Sequence, residues 1–418
     1  MSTTPAPADP QVPRGSVFAP FAYPAFRAIW IANLASNIGA MIQSVAAAWL
    51  MTELTPSHQL VALVQVSASL PIMLLGLFAG VIADNYDRRK VMLAAQLVML
   101  GASALLAALT WAGQIGPLAL LALTLAVGCG TALNSPAWQA SVRLQVGPAE
   151  LSQAISINAI AFNLGRSVGP ALGGLLISLT GPAAAFALNT CSYVALIVVL
   201  LRWQPEAPAR ARQAMFAAIR EGIAFCAGSS PLRRLLTRGL VFGFGAAGTY
   251  ALLPLVVREQ IRGEAVDYGL VLGAFGLGSI LTALWVAPAR RRWGSEAVVT
   301  AATLIYALAM LPLAATTTLA PAIVAAALSG GGWVATWTSI NVAMQLRSPE
   351  AILGRCMSIY QAVTFGGLAM GAWIWGLVSD LAGLPLAIRS AALLLLISLP
   401  VLRWLAPMPS RSEGRIAP

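Results

Sequence analysis

The chain has few charged residues: of its 418 residues only 9% are Asp, Glu, Lys or Arg, whereas 59% are hydrophobic. An ordinary soluble domain carries about 25% charged and roughly 45–50% apolar residues. So few charges cannot cover the surface of a soluble fold of this length. Twelve membrane crossings of about 20 apolar residues need roughly 240 such residues, which this composition supplies. The sequence therefore predicts a polytopic, all-α membrane protein.

Residue types that carry chemistry are also scarce. Lys90 is the only lysine, so the chain has no Gly-Lys-Ser/Thr phosphate loop and no ATPase activity of its own is expected. His58 is the only histidine, which leaves no imidazole cluster for a metal ion. The four cysteines show no Cys-x-x-Cys spacing and are interpreted as small packing residues. Because no nucleophile stands with a base, we expect no catalytic residues, no enzyme activity and no cofactor.

Apolar runs of spanning length occur twelve times, six on each side of a basic central break. The first six lie near 26–51, 60–83, 91–112, 117–141, 151–179 and 183–203, and the other six near 235–257, 267–288, 297–316, 319–345, 356–380 and 384–405. The predicted organisation is a disordered tail over 1–25, a six-helix bundle over 26–203, a linker over 204–234, a second bundle over 235–405 and a tail over 406–418.

The net charge of +11 reflects membrane topology and does not indicate a nucleic-acid partner. Of the 25 basic residues, 21 lie in or beside the two tails, the linker and the loops on their side of the membrane. Cytoplasmic loops accumulate Arg and Lys, so both termini are predicted to be cytoplasmic. The linker also spaces apolar residues helically among its arginines, which favours an amphipathic helix on the inner leaflet. A solvated linker is the alternative.

The two halves of the chain repeat each other at an offset of 202 residues. Glycines come into register at this offset, so that Gly128 pairs with Gly330, Gly165 with Gly367, and further pairs follow at 169/371, 174/376 and 181/383. This many matches at one offset favour duplication of a six-helix unit. Two similar halves are typical of transporters that rock about a central site.

The loop between the second and third spans reads Gly80-Val-Ile-Ala-Asp84-Asn-Tyr-Asp87-Arg88-Arg89-Lys90. An Asp at a helix end beside three cations can accept hydrogen bonds from the next helix and pair with Arg. A small residue four positions earlier permits close helix approach. We interpret these residues as a conformational latch that opens when the helices tilt; a plain surface charge cluster is the alternative. The latch comprises Gly80, Asp84, Asp87, Arg88, Arg89 and Lys90.

The fifth span contains Gly165-Arg-Ser-Val-Gly169-Pro170-Ala-Leu-Gly173-Gly174. Its glycines allow a neighbouring helix to pack closely, and Pro170 removes a backbone hydrogen bond and kinks the span. Such a helix is suited to bending or sliding.

These two segments resemble the loop signature and the antiporter signature of the major facilitator superfamily. The phrases Trp49-Leu-Met-Thr-Glu53-Leu-Thr55, Asp84 to Lys90 and Asn163-Leu-Gly-Arg166-Ser-Val-Gly-Pro170 are similar to its enterobactin-exporter-like bacterial efflux branch. The resemblance implies twelve transmembrane helices in two six-helix halves, a place in the bacterial inner membrane, and export of a small solute by proton antiport. Two departures matter: the arginine that the family often carries in span four falls at Thr124, and an acid common in span one falls at Ala40. No acid is visible at the bilayer midplane, so the proton carrier is not identified.

Arg166 is the exceptional charge within a predicted span, and such a guanidinium is costly unless it faces a cavity or a partner. It could bind an anionic group of the substrate or couple to proton movement. It could equally brace the carbonyl groups freed near Pro170 or reach neighbouring amides.

Amides and aromatics in spans one, four, seven and ten are the other candidates for a substrate cavity, because an amide in lipid needs a partner. Each of them could instead join two helices. A mixed wall of this kind suits an amphipathic, partly aromatic solute. The candidates are Asn33, Asn37, Gln43, Asn134, Trp138, Gln139, Tyr250, Trp333, Trp337, Asn341 and Gln345.

The sequence therefore predicts a secondary exporter of a small amphipathic solute that resembles a siderophore, drug or metabolite, working by alternating access. Its expected partners are this solute, the lipid bilayer and a proton, with neither ATP nor nucleic acid. An uptake permease of the same fold is one alternative. A membrane sensor or scaffold without transport activity is another, disfavoured because the chain has no sizeable soluble domain to transmit a signal.

Overall fold

The structure, a computed structural model, describes residues 18–205, 215–349 and 352–409, without the side chains of residues 84 and 215–218. Within these ranges all regular elements are helical, which confirms the all-α prediction. The first half contains α1 Pro24–Leu54, α2 His58–Asn85, α3 Arg88–Trp111, α4 Pro117–Ser141, α5 Leu151–Thr180 and α6 Pro182–Arg202. The helix α7 Met215–Gly228 follows, and then α8 Ser230–Tyr250, a long helix Ala265–Leu313, and three further helices, α11 Leu319–Gln345, α12 Leu353–Ala382 and α13 Leu384–Leu405.

The long helix is two membrane crossings joined at a kink. Its 49 residues would extend for about 74 Å at ~1.5 Å per residue, well over twice the ~30 Å hydrocarbon core. Gly294 interrupts the helix with φ 82° and ψ 161°, a backbone conformation that residues other than glycine rarely adopt. We therefore name the arms α9 (265–293) and α10 (295–313). The eleven spanning helices of the described residues thus provide twelve crossings, as predicted.

The helix boundaries repeat at the same offset of 202 that the glycines show. Helices begin at 117 and 319, at 151 and 353, and at 182 and 384, and they end at 111 and 313 and at 180 and 382. Gly181 and Gly383 end α5 and α12 with φ values of 84° and 90°. Because equivalent residues begin and end equivalent helices, the two halves have the same fold.

Within the first half α1 packs against α5 and α6, and α3 packs against α4 and α6. The two halves meet along two equivalent pairs, α2 with α12 and α5 with α9. Small residues allow these approaches: Gly174 of α5 faces Gly269 of α9, and Gly376 of α12 faces Ala62 of α2. The contacts leave room between the halves for cavities.

Two opposite ends of the helix bundle recur below. The linker face carries the Ala19–Ala22 turn, α7 and residues 406–409, which lie next to the α9–α10 kink. The distal face carries the α1–α2 turn at Thr55–Ser57 and the glycine turns at Gly181 and Gly383.

The predicted tails, 1–25 and 406–418, are described only in part. Residues 1–17 and 410–418 lie outside the described residues, but the neighbouring segments are folded. Phe21 packs edge-on against Phe26 and Trp30, with ring centroids 5.7 and 5.0 Å apart, so aromatic packing orders this turn before α1. Residues 406–409 are likewise held by hydrogen bonds to α8, to α10 and to the turn after α11, described below.

The predicted linker helix falls at α7, and residues 206–214 before it lie outside the described residues. Glu221 of α7 forms an ion pair with Arg355 at the start of α12, and Gly222 lies against the Arg355 side chain. The linker therefore contacts the second half of the chain directly at the linker face.

Candidate functional site

A cavity of about 350 Å³ lies between the two halves. Helix α5 forms its wall in the first half, and α9, α11 and α12 form its wall in the second half. Among its lining residues Arg166 carries the only charge, and the rest are amides, hydroxyls, aromatics and small apolar groups. The polar and aromatic ones are Asn163, Arg166, Ser279, Trp333, Trp337, Thr338, Asn341, Tyr360, Gln361, Thr364 and Phe365.

Arg166 is half-buried, one turn before the tight α5 contact with α9. Within the described part of the chain its guanidinium makes no hydrogen bond or ion pair; its Cζ lies 5.9 Å from the centroid of the Phe162 ring. Bracing bonds to carbonyls near Pro170 are thus not present among the described residues. A guanidinium provides five N–H donors in one plane, a geometry that matches carboxylate and phosphate.

Aromatic rings form the wall opposite Arg166. Trp333 stacks on Tyr250 at a centroid distance of 5.6 Å and meets Trp337 edge-on at 5.6 Å. Phe242 contacts both tryptophans. The indole Nε1 of Trp337 is buried and finds no acceptor among the described residues, although most buried donors are paired. This wall can pack against a flat apolar ring system and has a donor that is not used by the protein.

The polar residues of α11 and α12 complete the cavity. The Gln345 amide donates to Oδ1 of Asn341 at 2.6 Å, which orients the Asn341 side chain. Tyr360, Gln361 and Thr364 come from α12. The sequence analysis did not name these three residues as candidates. Their spacing of one and three residues puts them on one side of a helix, and this polar face among apolar residues is the signal that could have identified them.

The structure gathers Arg166, Trp333, Trp337 and Asn341 in this cavity and places the other candidates elsewhere. Gln43 is buried, accepts hydrogen bonds from Ser103 and Asn189 at 2.8 Å each, and so joins α1 to α3 and α6. Tyr250 lies behind Trp333. The remaining candidates, which do not line this cavity, are Asn33, Asn37, Asn134, Trp138, Gln139 and Gln345.

A second cavity of about 610 Å³ lies at the linker face, between α2 and α4 on one side and α12 on the other. Its lining includes three arginines, Arg88, Arg143 and Arg355. Gln139 also lines it, and Gln361 lines both cavities, so the two adjoin. Together they form a path between the linker face and Arg166.

The predicted latch borders this second cavity through Gly80 and Arg88. A Cβ at Gly80 would lie 3.5 Å from the Ser358 hydroxyl of the other half. Asp87 begins α3 by accepting from the Arg89 backbone N–H at 2.9 Å. Arg88 and Arg89 donate to carbonyls that end α4 and α6, at 2.7 Å to Ala140 and Leu200. Lys90 is exposed, and Asp84 lies in the last turn of α2, with its side chain outside the described residues.

The predicted antiporter-type helix α5 packs on both halves. Gly165, Gly169 and Gly173 lie against α1 of the same half, while Gly174 lies against Gly269 of the other. Pro170 is buried. Its carbonyl oxygen lies beside this contact, 2.6 Å from the position that a Cβ at Gly269 would take. The small residues therefore serve two different interfaces, and only the second joins the halves.

An acidic residue of the second half joins the two halves at the distal face. Asp380 of α12 accepts from the Ser57 hydroxyl at 2.8 Å and from the backbone N–H groups of His58 and Gln59 at 2.6 and 3.2 Å. It thus caps the N-terminus of α2 from the opposite half. An anionic cap satisfies free N–H groups and interacts favourably with the helix dipole.

His58 adds a second contact across the halves at this face. Its Nδ1 is 2.7 Å from the Ser379 hydroxyl and its Nε2 is 3.0 Å from a Glu259 carboxylate oxygen. Nearby, Arg258 donates to Thr52 at 3.0 Å and lies 3.8 Å from Glu53. These contacts join α1 and α2 to the second half around the closed end.

We expect Asp380→Asn to weaken closure of the distal face, because the amide retains one acceptor but loses the charge. The cap contribution of ~0.5–2 kcal/mol corresponds to a shift of about 2- to 30-fold toward the open distal face. A cysteine at Thr55 should then react faster with an impermeant thiol reagent. Asp267→Asn is the matched control, since Asp267 caps α9 within one half. Equal labelling rates in parent and Asp380→Asn would contradict this role.

Arg238, not Arg166, is the most deeply buried charge of the described residues that lies within a spanning helix, at 5% exposure. Its guanidinium donates to Glu296 at 2.7 and 3.0 Å and to the Ala406 carbonyl at 2.6 Å, while Glu296 accepts from the Met408 backbone N–H. Arg347 donates to the Pro409 carbonyl. The sequence analysis did not identify the ion pair between Arg238 and Glu296, because the two residues lie 58 positions apart and meet only through packing.

Comparison with known proteins agrees with this architecture. The family described as transmembrane secretion effector matches residues 15–416. The multidrug efflux pump Tap of Mycolicibacterium fortuitum is 28% identical over 392 residues, covering 90% of this chain and 92% of Tap. The enterobactin exporter EntS of Salmonella typhimurium is 26% identical over 364 residues, 85% of each chain. The crystal structure of the nucleoside transporter NupG superposes with a TM-score of 0.76 at 12% identity, covering 91% of this chain and 98% of NupG.

Proposed function

Since the chain belongs to the transmembrane secretion effector family of major facilitator transporters, we propose that it exports a small amphipathic organic solute through the cavity at Arg166. The observation that carries this proposal is a guanidinium that no described residue pairs with, in a cavity otherwise lined by uncharged side chains, many of them aromatic or amide. The related pumps Tap and EntS, named for multidrug efflux and for enterobactin export, support the export direction.

The cavity chemistry indicates the class of solute. Trp333 and Trp337 of α11 provide flat apolar surface, Asn341 provides a polar contact from the same helix, and Arg166 provides polar contacts from α5. A ligand that combines an aromatic or other planar apolar part with an anionic or strongly polar group matches both. A sugar would make few apolar contacts with the indole rings, and an inorganic ion would make none.

The arrangement of contacts supports alternating access between the two halves. In this structure the Asp380 cap and the α5–α9 glycine contact close the distal face, while the second cavity lies at the linker face. In the opposite state, the halves would separate at the distal face and approach at the linker face around Gly80 and the latch. The cavity with Arg166 would then face the other side of the membrane.

For orientation, we propose that the linker face is cytoplasmic and that the protein resides in the bacterial inner membrane. The basic residues at this face support the orientation, because cytoplasmic loops accumulate Arg and Lys. The structure then corresponds to an inward-facing conformation that receives solute from the cytoplasm.

The proton gradient is the proposed energy source, on the family resemblance and on the absence of a nucleotide-binding motif from the sequence. We expect everted vesicles to accumulate an aromatic anionic dye under a proton gradient and to lose it on addition of a protonophore. Efflux that needs sodium would contradict proton coupling, and uptake into right-side-out vesicles would favour a permease.

A cysteine at Thr3 should be labelled by an impermeant reagent in everted but not in right-side-out vesicles.

A further inference from the structure

A third cavity is separate from the Arg166 site. It has a volume of about 890 Å³ and lies between α9, α10 and α11. Apart from Thr282 its lining residues are apolar, and none of them belongs to the first half of the chain. Alternating access between the halves does not require a groove within one half.

The groove has the length of a lipid tail. It extends along α9 from Gly278 to Trp293, which is roughly 22 Å at ~1.5 Å per residue. One leaflet of the hydrocarbon core is only about 15 Å thick, so the groove can hold an acyl chain over its whole depth. Trp285 and Trp293 line the groove and are 71% and 63% exposed, so its outer edge faces the surrounding bilayer.

A cluster of three arginines stands at the linker-face end of the groove. Arg290, Arg291 and Arg292 lie between the lining residues Ala289 and Trp293, and the Arg292 Cζ is 5.5 Å from the centroid of the Trp293 ring. The Nε of Arg290 is buried and has no partner among the described residues. Basic pockets beside apolar helix surfaces bind anionic lipid headgroups.

We infer that this groove binds one anionic phospholipid, with an acyl chain between α9, α10 and α11 and the phosphate at Arg290–Arg292. A zwitterionic lipid would meet the same apolar surface but would bring a cation next to three guanidinium groups. The Gly294 kink determines the position of the site, because it follows the three arginines directly and separates α9 from α10 at that point.

The purified full-length protein tests this inference by native mass spectrometry in a detergent supplemented with phosphatidylglycerol or phosphatidylcholine. The parent should retain phosphatidylglycerol in preference. R290Q/R291Q/R292Q should retain at least tenfold less phosphatidylglycerol, since each basic residue near an anionic lipid contributes about 1 kcal/mol. Ala301→Phe, which fills the groove, should lower retention of both lipids.

The matched control is R220Q/R403Q, which removes exposed arginines from the linker face away from the groove and should retain phosphatidylglycerol as the parent does. Added inorganic phosphate should not displace the lipid, because it has no chain for the groove. Equal retention of both lipids by the parent, or unchanged retention in R290Q/R291Q/R292Q, would overturn the inference. Displacement of the lipid by a transported dye would also overturn it, because the groove would then be an entrance for substrate.

Discussion

Gly269→Ala is expected to reduce efflux roughly tenfold or more, although alanine is the better helix former. A Cβ at position 269 would lie 2.6 Å from the Pro170 carbonyl oxygen and 2.9 Å from the Gly174 Cα, both in the opposite half. Overpacking of this kind costs about 1–3 kcal/mol. The cost applies only while the distal face is closed, so the equilibrium shifts by about 5- to 150-fold toward the open state.

A cross-link measures this shift directly. The Ser178 hydroxyl and the Glu264 carboxylate are 3.5 Å apart across the same interface. In a background without the four native cysteines, the pair S178C/E264C should cross-link readily, and adding Gly269→Ala should lower the yield.

Gly273→Ala is the matched control on the same face of α9. A Cβ there would be 3.4 Å from the Ser167 carbonyl oxygen and 3.5 Å from the Ala171 Cβ, which is ordinary van der Waals contact. Its cross-linking and efflux should match the parent. If Gly269→Ala behaves like Gly273→Ala, the glycine contact does not control closure of the distal face.

Replacing Arg166 is expected to have a comparably large effect on the transport of anions. A hydrogen bond to a charged group contributes ~1.5–3 kcal/mol, so Arg166→Gln should weaken binding of an anionic solute roughly tenfold to a hundredfold. Binding of a neutral analogue should change little. Arg166→Lys keeps the charge but loses the planar pair of donors, so a bidentate contact predicts impaired transport there too.

Efflux per molecule and ligand affinity should be measured for both Arg166 variants with an anionic dye and its neutral ester. Asn163→Ala is the control, because Asn163 lines the same cavity from the same helix but its amide donates to its own helix at the Ala159 carbonyl. Normal transport per molecule by both Arg166 variants would assign this residue a structural role and remove the reason to expect an anion.

The membrane class, the twelve crossings and the similarity of the halves could all be predicted from the amino-acid sequence. Hydropathy and helix ends are local properties: about 20 apolar residues suffice for a crossing, and a glycine such as Gly181 or Gly383 ends a helix with its own backbone angles. For this reason the 202-residue offset seen among the glycines reappears in the helix boundaries. Arg166 was also recognisable, because a charge within an apolar run is visible without knowing its neighbours.

Which side chains share a site could not be predicted from the sequence, because it depends on how the helices pack. Gln43 and Asn341 are both amides within apolar helices, yet one joins three helices of the first half while the other lines the cavity. The difference depends on how each helix is rotated against partners distant in sequence. The same holds for Asp380, which meets α2 across 322 residues at His58. Helix rotation and pairing are set by the packing of many small residues from different helices, and no local pattern contains that information.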